Sequence, residues 1–308
     1  MSVPRSVLTT NESPDIPFRH SINPYQGCEH GCSYCYARPA HAYLGLSPGL
    51  DFETRLIAKT GAAGVLAREL RRGAHEPSTV ALGANTDPYQ PVERRLRITR
   101  EILEVLAEAR HPVAVITKNA LVERDIDLLA SLAEVGAARV FLSITSLDSE
   151  LSRRLEPRAS RPARRVEAIR RLSEAGIPAG VMFAPVIPAL NEHELEAVLE
   201  AAAGAGARHA GYVMLRLPHE VRPLFKRWLH EHAPLKAARV MAIVRELRAG
   251  RENDPTFGRR LVGQGPFAEL IRQRFAVTCR RLGLDSSPPA LDGSRFRPPG
   301  PAGQRALF

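Results

Sequence analysis

Three closely spaced cysteines are the residues of this chain with the most evident capacity for chemistry. Cys28, Cys32 and Cys35 fall within eight residues, with the spacing C-x3-C-x2-C, in a chain that has four cysteines. Such clustering indicates metal or cluster ligation and not a disulfide scaffold. Thiolates are soft ligands that suit iron–sulfur clusters. Three sulfurs on one loop can hold three corners of a [4Fe–4S] cube and leave the fourth iron open to a small molecule.

Two other interpretations of these cysteines stay open. A zinc site needs a fourth ligand, and His30 is the nearest candidate, although a Cys-x-His pair in this loop makes poor tetrahedral geometry. In the second interpretation, the three cysteines are a chance grouping of unmodified thiols that bind no metal. Cys279 lies apart in an apolar helical pattern and is expected to be a small buried residue.

Strand and helix patterns alternate along the chain after the cysteines. Short apolar runs typical of buried parallel strands occur at 54–59, 79–83, 113–117, 140–145, 180–184 and 211–215. Patterns typical of amphipathic helices lie between them, at 62–72, 99–109, 125–135, 161–175 and 192–205. This alternation predicts an α/β fold with a parallel sheet and right-handed crossovers, namely an open barrel of six β/α units.

The regions outside this alternation predict the domain organisation. Residues 1–21 are expected to be an N-terminal extension and 22–218 the barrel. Beyond Pro218 only helical patterns follow, so 219–284 is predicted to be a helical C-terminal region. Residues 285–308 are rich in Pro, Gly and Arg and are expected to be disordered. No apolar run of membrane-spanning length and no signal-peptide pattern occur, which favours a cytoplasmic protein.

The chain is strongly basic, with a net charge of +10 that comes mostly from arginine. One interpretation is a polyanionic partner such as DNA or RNA. The other is a genome whose codons favour Arg, Ala and Pro, because the charge is spread along the chain.

The sequence around the cysteines resembles that of a known family. C-x3-C-x-aromatic-C, with Tyr34 as the aromatic residue, resembles the radical SAM superfamily. A longer stretch of sequence resembles a bacterial group that is related to spore photoproduct lyase and is often labelled "DNA repair photolyase". It runs from Asn23 to Cys28 and from Tyr34 to Arg38. The resemblance implies a partial (β/α)6 TIM-like barrel with a helical C-terminal extension. It also implies a [4Fe–4S] cluster, S-adenosylmethionine (SAM) as cofactor, and a reductant such as flavodoxin or ferredoxin.

Tyr34 is one candidate for binding SAM. The other candidates are polar residues that follow the predicted strands. The resemblance places Asn85, Thr86 and Asp87 near the amino group of SAM and Lys118 near its carboxylate. Further candidate contacts to the methionine, ribose or substrate are Ser143, Thr145, Glu156 and Arg158. An Asn- and Pro-rich turn, a solvated lysine and a surface ion-pair cluster are the alternatives that involve no ligand.

The chain departs from the lyase pattern at one point. The lyase has a fourth cysteine near the barrel mouth that returns a hydrogen atom, whereas the loop after Gly83 has no thiol. Tyr34, Tyr36 and Tyr89 are the candidate hydrogen donors in its place, and packing aromatics are the alternative.

These observations lead to a hypothesis of function with two alternatives. The leading hypothesis is a radical SAM enzyme that cleaves SAM reductively to a 5′-deoxyadenosyl radical, with DNA or a nucleotide as substrate. The first alternative is a radical SAM enzyme that modifies a small molecule, a peptide or tRNA. The second is a non-catalytic iron–sulfur or zinc protein that binds nucleic acid.

The last five residues suggest a partner. They resemble the bacterial sliding-clamp peptide, in which Gln304 anchors the backbone and Leu307 and Phe308 enter an apolar pocket. Arg305 departs from the usual leucine, and an accidental apolar terminus is the alternative.

Overall fold

A mostly parallel sheet forms the centre of the molecule in the computed structural model, which describes residues 4–73 and 75–300. The strands are β1 (Thr9–Thr10), β2 (His20–Ile22), β3 (Tyr25–Gln26), β4 (Ile57–Ala58), β5 (Val80–Leu82), β6 (Val113–Thr117), β7 (Ala138–Ser143), β8 (Ala179–Val186) and β9 (His209–Met214). Seven of them pair in the order β1-β2-β5-β6-β7-β8-β9. All pairings from β2 to β9 are parallel, and β1 is antiparallel to β2. The six parallel strands confirm the predicted partial barrel.

Helices cover the strands and extend the C-terminal region. They are α1 (Asp51–Thr54), α2 (Ala62–Leu70), α3 (Glu93–Leu96), α4 (Ile98–Glu108), α5 (Ile126–Ala133), α6 (Ser149–Leu155), α7 (Pro162–Glu174), α8 (Leu195–Gly204), α9 (Val221–His232), α10 (Pro234–Leu247) and α11 (Pro266–Leu282). Short 3₁₀ segments occur at Arg38–Leu44, Ala120–Asp125 and Glu192–Glu194. Among the described residues, no helix is long and apolar enough to cross a membrane.

The core lies between the sheet and its covering helices. In α4, the buried residues Ile98, Ile102 and Leu106 recur at the spacing of one helical face. In β6, Val113 and Val115 are fully buried. A second apolar cluster joins α9 and α10 to Cys32 and Tyr34, so the helical C-terminal region supports the cysteine loop directly.

The first barrel strand differs from the prediction. Residues 54–59 were expected to form it, but there only Ile57–Ala58 is extended, and it pairs with β3 in a separate two-stranded sheet. The strand beside β5 is instead His20–Ile22, whose first two residues lie in the segment 1–21 expected to be an extension. Its three residues include only one large apolar side chain, and so carry no strand pattern for the sequence to reveal.

The segment after α11 also differs from its prediction. Residues 285–300 were expected to be disordered, yet Asp285 pairs with β9, where the Ala210 amide donates to its carbonyl at 3.0 Å. Further along, the amides of Asp292 and Arg297 donate to the carbonyls of Gly136 and Ala109, both at 3.0 Å. Backbone hydrogen bonds hold this Pro- and Gly-rich segment on the barrel, although its composition resembles that of disordered chains. The clamp-like residues Gln304, Leu307 and Phe308 lie outside the described residues.

Candidate active site

The three cysteines lie on one loop that follows β3. All three thiols are free, Cys28 and Cys32 are buried, and Cys35 is partly buried. The Cys28 amide donates to the Phe52 carbonyl in α1 at 2.8 Å. The Ser33 amide donates to the Leu155 carbonyl at the end of α6 at 3.0 Å. Backbone bonds to two helices therefore fix the loop.

Gly27 allows the loop to approach α1 closely. Its φ is +82°, in the left-handed region, and a Cβ there would lie 2.9 Å from the Phe52 carbonyl oxygen. No side chain fits at that distance from backbone, so the position requires glycine.

Arg38 anchors the loop from within the protein. It is almost fully buried, and its Nε and Nη2 donate to the Cys32 carbonyl at 3.0 and 2.9 Å. Its Nη2 also forms an ion pair with Glu53 at 2.6 Å. Sequence reasoning quoted Arg38 only as part of the family text and assigned it no role.

The chemistry of the donors fits an iron–sulfur cluster. Burial raises the pKa of each of the three thiols, so they are neutral without a bound cation, and iron would replace their protons. Among the described side chains, no three His, Cys, Asp or Glu converge as ligands of a single metal ion. A four-iron cluster does not require such convergence, because each cysteine would bind a different iron.

A buried polar cluster, formed by Tyr34, Lys118, Thr145 and Glu156, adjoins the cysteine loop. Lys118 Nζ lies 3.1 Å from Glu156 Oε1, 3.1 Å from the Ala184 carbonyl and 3.4 Å from Thr145 Oγ1. The Tyr34 hydroxyl donates to Glu156, and Lys118 Nζ lies over the Tyr34 ring at 5.6 Å. The structure thus brings together four of the residues that the sequence predicts to bind SAM.

Arg165, on α7, completes the charge balance of this polar cluster. It is buried, forms an ion pair with Glu156 and donates to the Ser143 carbonyl at 2.8 Å. Burial acts to raise the pKa of Glu156, but Arg165 and Lys118 outweigh it and hold the pKa well below its usual range. Glu156 therefore carries a negative charge between two cations. Sequence reasoning missed Arg165, whose only signal is an arginine on an otherwise apolar helix face.

Asp87 connects the loop to two strand ends. It accepts from Thr117 Oγ1 at 2.7 Å and from the Lys118 amide at 2.7 Å, and His30 Nδ1 lies 3.4 Å away. His30 Nε2 in turn contacts Asn119 Nδ2 at 3.2 Å. Asp87 and His30 thus hold the cysteine loop against the ends of β5 and β6, and His30 has a positioning role that the sequence did not suggest.

The other predicted SAM contacts have different surroundings. Thr86 is buried and donates to the Tyr25 carbonyl at 2.6 Å, while Asn85 is exposed. Arg158 binds the Glu29 carbonyl and Glu53 on the outer side of the cysteine loop. Ser143 is buried beneath Arg165. The geometry assigns no ligand contact to Asn85, Thr86, Ser143 or Arg158.

Two of the three candidate tyrosines adjoin the loop. Tyr34 belongs to the polar cluster, and the half-exposed Tyr36 donates to the Ala84 carbonyl with Arg216 over its ring at 5.4 Å. Tyr89 is fully buried, and its hydroxyl donates to Asp125 at 3.0 Å. The Tyr89 hydroxyl belongs to that buried ionic network and not to the polar groups beside the cysteines.

Comparison with known proteins identifies the family. A family model described as the radical SAM superfamily matches residues 22–202, more than half of the chain. The chain belongs to the radical SAM superfamily. Membership implies a [4Fe–4S] cluster and SAM as cofactors, and radical SAM enzymes as a class are catalysts.

Sequence relatives of this radical SAM protein extend across bacteria and archaea. An uncharacterized protein of Mycobacterium tuberculosis is 39% identical over 278 residues, covering 89% of this chain and 78% of the relative. An uncharacterized protein of Methanocaldococcus jannaschii is 27% identical over 176 residues, covering 57% and 63%.

Solved structures support the fold of this radical SAM protein. Spore photoproduct lyase complexed with dinucleoside spore photoproduct matches with a TM-score of 0.62 and 16% identity, over 92% of this chain and 80% of that one. A mutant of that lyase with bound AdoMet and the photoproduct matches with a TM-score of 0.61, the same identity and the same coverage. At this identity the likeness shows a shared fold.

Proposed function

We propose that this protein holds a [4Fe–4S] cluster on Cys28, Cys32 and Cys35 and cleaves SAM reductively. The observation that carries the proposal is the arrangement of three free thiols on one fixed loop beside the ion pair of the partly buried Lys118 with the buried Glu156. With its fourth iron open, the cluster would supply the electron that breaks the C5′–S bond and yields methionine and a 5′-deoxyadenosyl radical.

Lys118 is the residue that would bind the SAM carboxylate. Its ammonium group contacts Thr145, Glu156 and the Ala184 carbonyl. Because Arg165 also neutralises Glu156, Lys118 can exchange one contact for a ligand carboxylate without leaving a buried charge unpaired. The polar cluster would thus orient SAM and exclude water from it. Asn85, Thr86, Asp87, Ser143 and Arg158 remain predicted contacts.

Tyr36 is the tyrosine best placed to meet a substrate. Its hydroxyl is bonded to a backbone carbonyl, and the side chain is 45% exposed directly after Cys35. The Tyr34 hydroxyl is committed to the charged Glu156, and that of Tyr89 to Asp125. We therefore propose Tyr36 as the hydrogen donor, if the reaction requires one from the protein.

The formation of 5′-deoxyadenosine tests the proposed chemistry. After anaerobic reconstitution, reduction with dithionite and addition of SAM, the protein is expected to form this product, and Cys28→Ala is expected to form none. Cys279→Ala is the matched control, because that thiol is buried in α11, apart from the loop. Equal product from the Cys28 variant and the wild type would refute the proposal.

DNA or a nucleotide is the proposed substrate class, supported by the net charge of +10. Binding to duplex DNA is then expected to weaken steeply as salt rises, because each phosphate contact releases counterions. Binding that does not respond to salt would favour a small molecule or a peptide as substrate, and tighter binding of tRNA than of duplex DNA at the same salt would favour tRNA. Anaerobic metal analysis tests the second alternative, since stoichiometric zinc would indicate a non-catalytic binding protein.

The C-terminal residues supply a second proposed partner. We propose that Gln304, Leu307 and Phe308 bind the sliding clamp. Wild-type protein is expected to retain purified clamp in a pull-down, and the double variant Leu307→Ala, Phe308→Ala to lose it. Equal retention of the clamp by the wild type and the double variant would contradict this proposal.

A further inference from the structure

An arginine-lined cleft lies on the flank of the cysteine loop, and nothing in the proposed chemistry uses it. The cleft has a volume of about 420 Å³. Four arginines and one glutamate supply its charged groups: Arg94, Arg124, Arg161, Arg164 and Glu123. The charged lining is therefore strongly positive.

Two of the four arginines have no acidic partner among the described residues. Arg124 is paired with Glu93 and Asp125, and Arg164 with Glu123. Arg94, on α3, and Arg161, at the start of α7, are exposed and in no ion pair that the described part of the chain contains. These two cations are available to an anionic partner.

The floor of the cleft leads to the cysteines. Asn119 lines the cleft, and its Nδ2 lies 3.2 Å from Nε2 of His30, which is two residues from both Cys28 and Cys32. The neighbouring Lys118 directs its Nζ to Glu156 and Ala184. Asn119 thus connects the cleft to the cysteine loop through His30, whereas the Lys118 ammonium belongs to the polar cluster.

We propose that this cleft docks an acidic one-electron carrier of the flavodoxin or ferredoxin class, a proposal that rests on the proposed function. Each docking event would transfer one electron, so that the carrier is oxidised and the cluster reduced by one. Electron tunnelling weakens steeply with distance, and a carrier seated at the cleft would reach the cysteine loop through the contact of Asn119 with His30. A ring of arginines matches an acidic carrier surface and steers its approach.

The lining favours a redox protein over a nucleic acid. None of the described residues that line the cleft is aromatic, whereas grooves that bind single strands stack bases on aromatic side chains. The aromatic residues beside the loop, Tyr34 and Tyr36, adjoin the polar cluster and the end of β5. Substrate and carrier would then contact different residues around the same loop.

Charge reversal of the unpaired arginines tests the proposal. The double variant Arg94→Glu, Arg161→Glu of the reconstituted holoenzyme is compared with Arg239→Glu, Arg280→Glu, which makes the same charge change on exposed positions of α10 and α11. Affinity for a purified acidic flavodoxin is measured by titration calorimetry at low salt. We expect at least about tenfold weaker binding for the cleft variant and wild-type affinity for the control, with wild-type binding weakening as salt rises.

Several results would overturn the docking proposal. Equal affinities of both variants, or no binding of flavodoxin by the wild type, contradict it. Loss of duplex DNA binding by the cleft variant, with flavodoxin binding unchanged, would show a nucleic-acid site instead. The milder pair Arg94→Gln, Arg161→Gln keeps the test valid if the glutamates disturb folding. Product formation driven by dithionite separates the two proposals, because it bypasses the carrier and depends on the proposed function alone.

Discussion

Around Glu156, four side chains from different parts of the chain share one buried carboxylate. Tyr34 comes from the cysteine loop, Lys118 from the end of β6, Thr145 from the end of β7 and Arg165 from α7. A buried ion pair adds little net stability, but removal of one partner leaves the other charge buried without a counter-ion. Substitution of Glu156 therefore reveals how far the site depends on this carboxylate.

Glu156→Ala is expected to lower the free energy of unfolding by about 3–5 kcal/mol, because Arg165 would be left buried without a counter-ion. Glu156→Gln should cost less, since an amide oxygen can still accept from Tyr34 and Thr145. Urea unfolding followed by circular dichroism measures both. Glu134→Ala, at an exposed position, is the control and should change stability by less than about 0.5 kcal/mol. A loss below about 1 kcal/mol for Glu156→Ala would contradict the account.

Gly27→Ala tests whether the cysteine loop needs its close approach to α1. Gly45→Ala is the matched control, because Gly45 also has a positive φ, +69°, but a Cβ there meets no atom within 4 Å. Both changes incur the left-handed backbone cost of about 1–2 kcal/mol. Only Gly27→Ala also drives a Cβ against the Phe52 carbonyl. Iron bound per chain after reconstitution is expected to fall for Gly27→Ala and stay at the wild-type level for Gly45→Ala; equal iron in both would show that the approach is not required.

At the scale of elements, an aromatic contact joins the C-terminal segment 285–300 to the residues before β6. Phe296 packs against His75 and His111, with ring centroids 5.4 Å apart in both cases. His75 Nε2 and His111 Nε2 are 2.9 Å apart, so one of them donates to the other only while at least one ring is neutral. Burial, followed by the charges of His75 and His20, lowers the pKa of His111 to about 4.

This contact makes stability depend on pH. Below pH 6.5 the unfolded chain protonates His111 while the folded protein does not, so the free energy of unfolding falls as pH falls towards 4. Between pH 7 and pH 5 this group should cost about 2 kcal/mol. Denaturant unfolding at both values should show a smaller loss in His111→Leu than in wild type. His230→Leu, on the exposed face of α9, is the control. Identical pH dependence in wild type and His111→Leu would contradict the account.

The sequence predicts most elements, and the exceptions have physical causes. Strands β5 to β9 contain short, largely apolar runs whose core-facing residues are buried, as in β5 and β6, and these runs are readable from the sequence. His20–Ile22 is too short to show periodicity, and only its pairing with β5 makes it a barrel strand. The segment 285–300 is held by backbone bonds to Gly136 and Ala109, and composition does not encode these partners.

At the scale of the whole molecule, the candidate site is encoded unevenly along the chain. The cysteine spacing and the positions of Lys118 and Glu156 after predicted strands lead to the centre of the site. The contacts that hold this centre in place come from Arg38, His30 and Arg165. Sequence reasoning assigned none of the three this positioning role, because their partners, such as Asn119 for His30, are identified only once the chain is folded.

Different residues connect the polar cluster and the arginine cleft to the cysteine loop. Tyr34 joins the loop to Glu156, and Asn119 of the cleft contacts His30. We expect SAM to bind at the polar cluster and an electron carrier at the cleft. Variants in the cleft should therefore leave the affinity for SAM unchanged, whereas Lys118→Met should weaken it.

The most direct measurement is electron paramagnetic resonance of the reduced, reconstituted protein with and without SAM. If three cysteines hold the cluster and its fourth iron is open, SAM will bind that iron and change the signal. Cys279→Ser should behave like the wild type, and Cys28→Ser, Cys32→Ser or Cys35→Ser should lose the signal. A cluster signal that SAM does not alter, or that survives the loss of one of these three cysteines, would contradict the central claim.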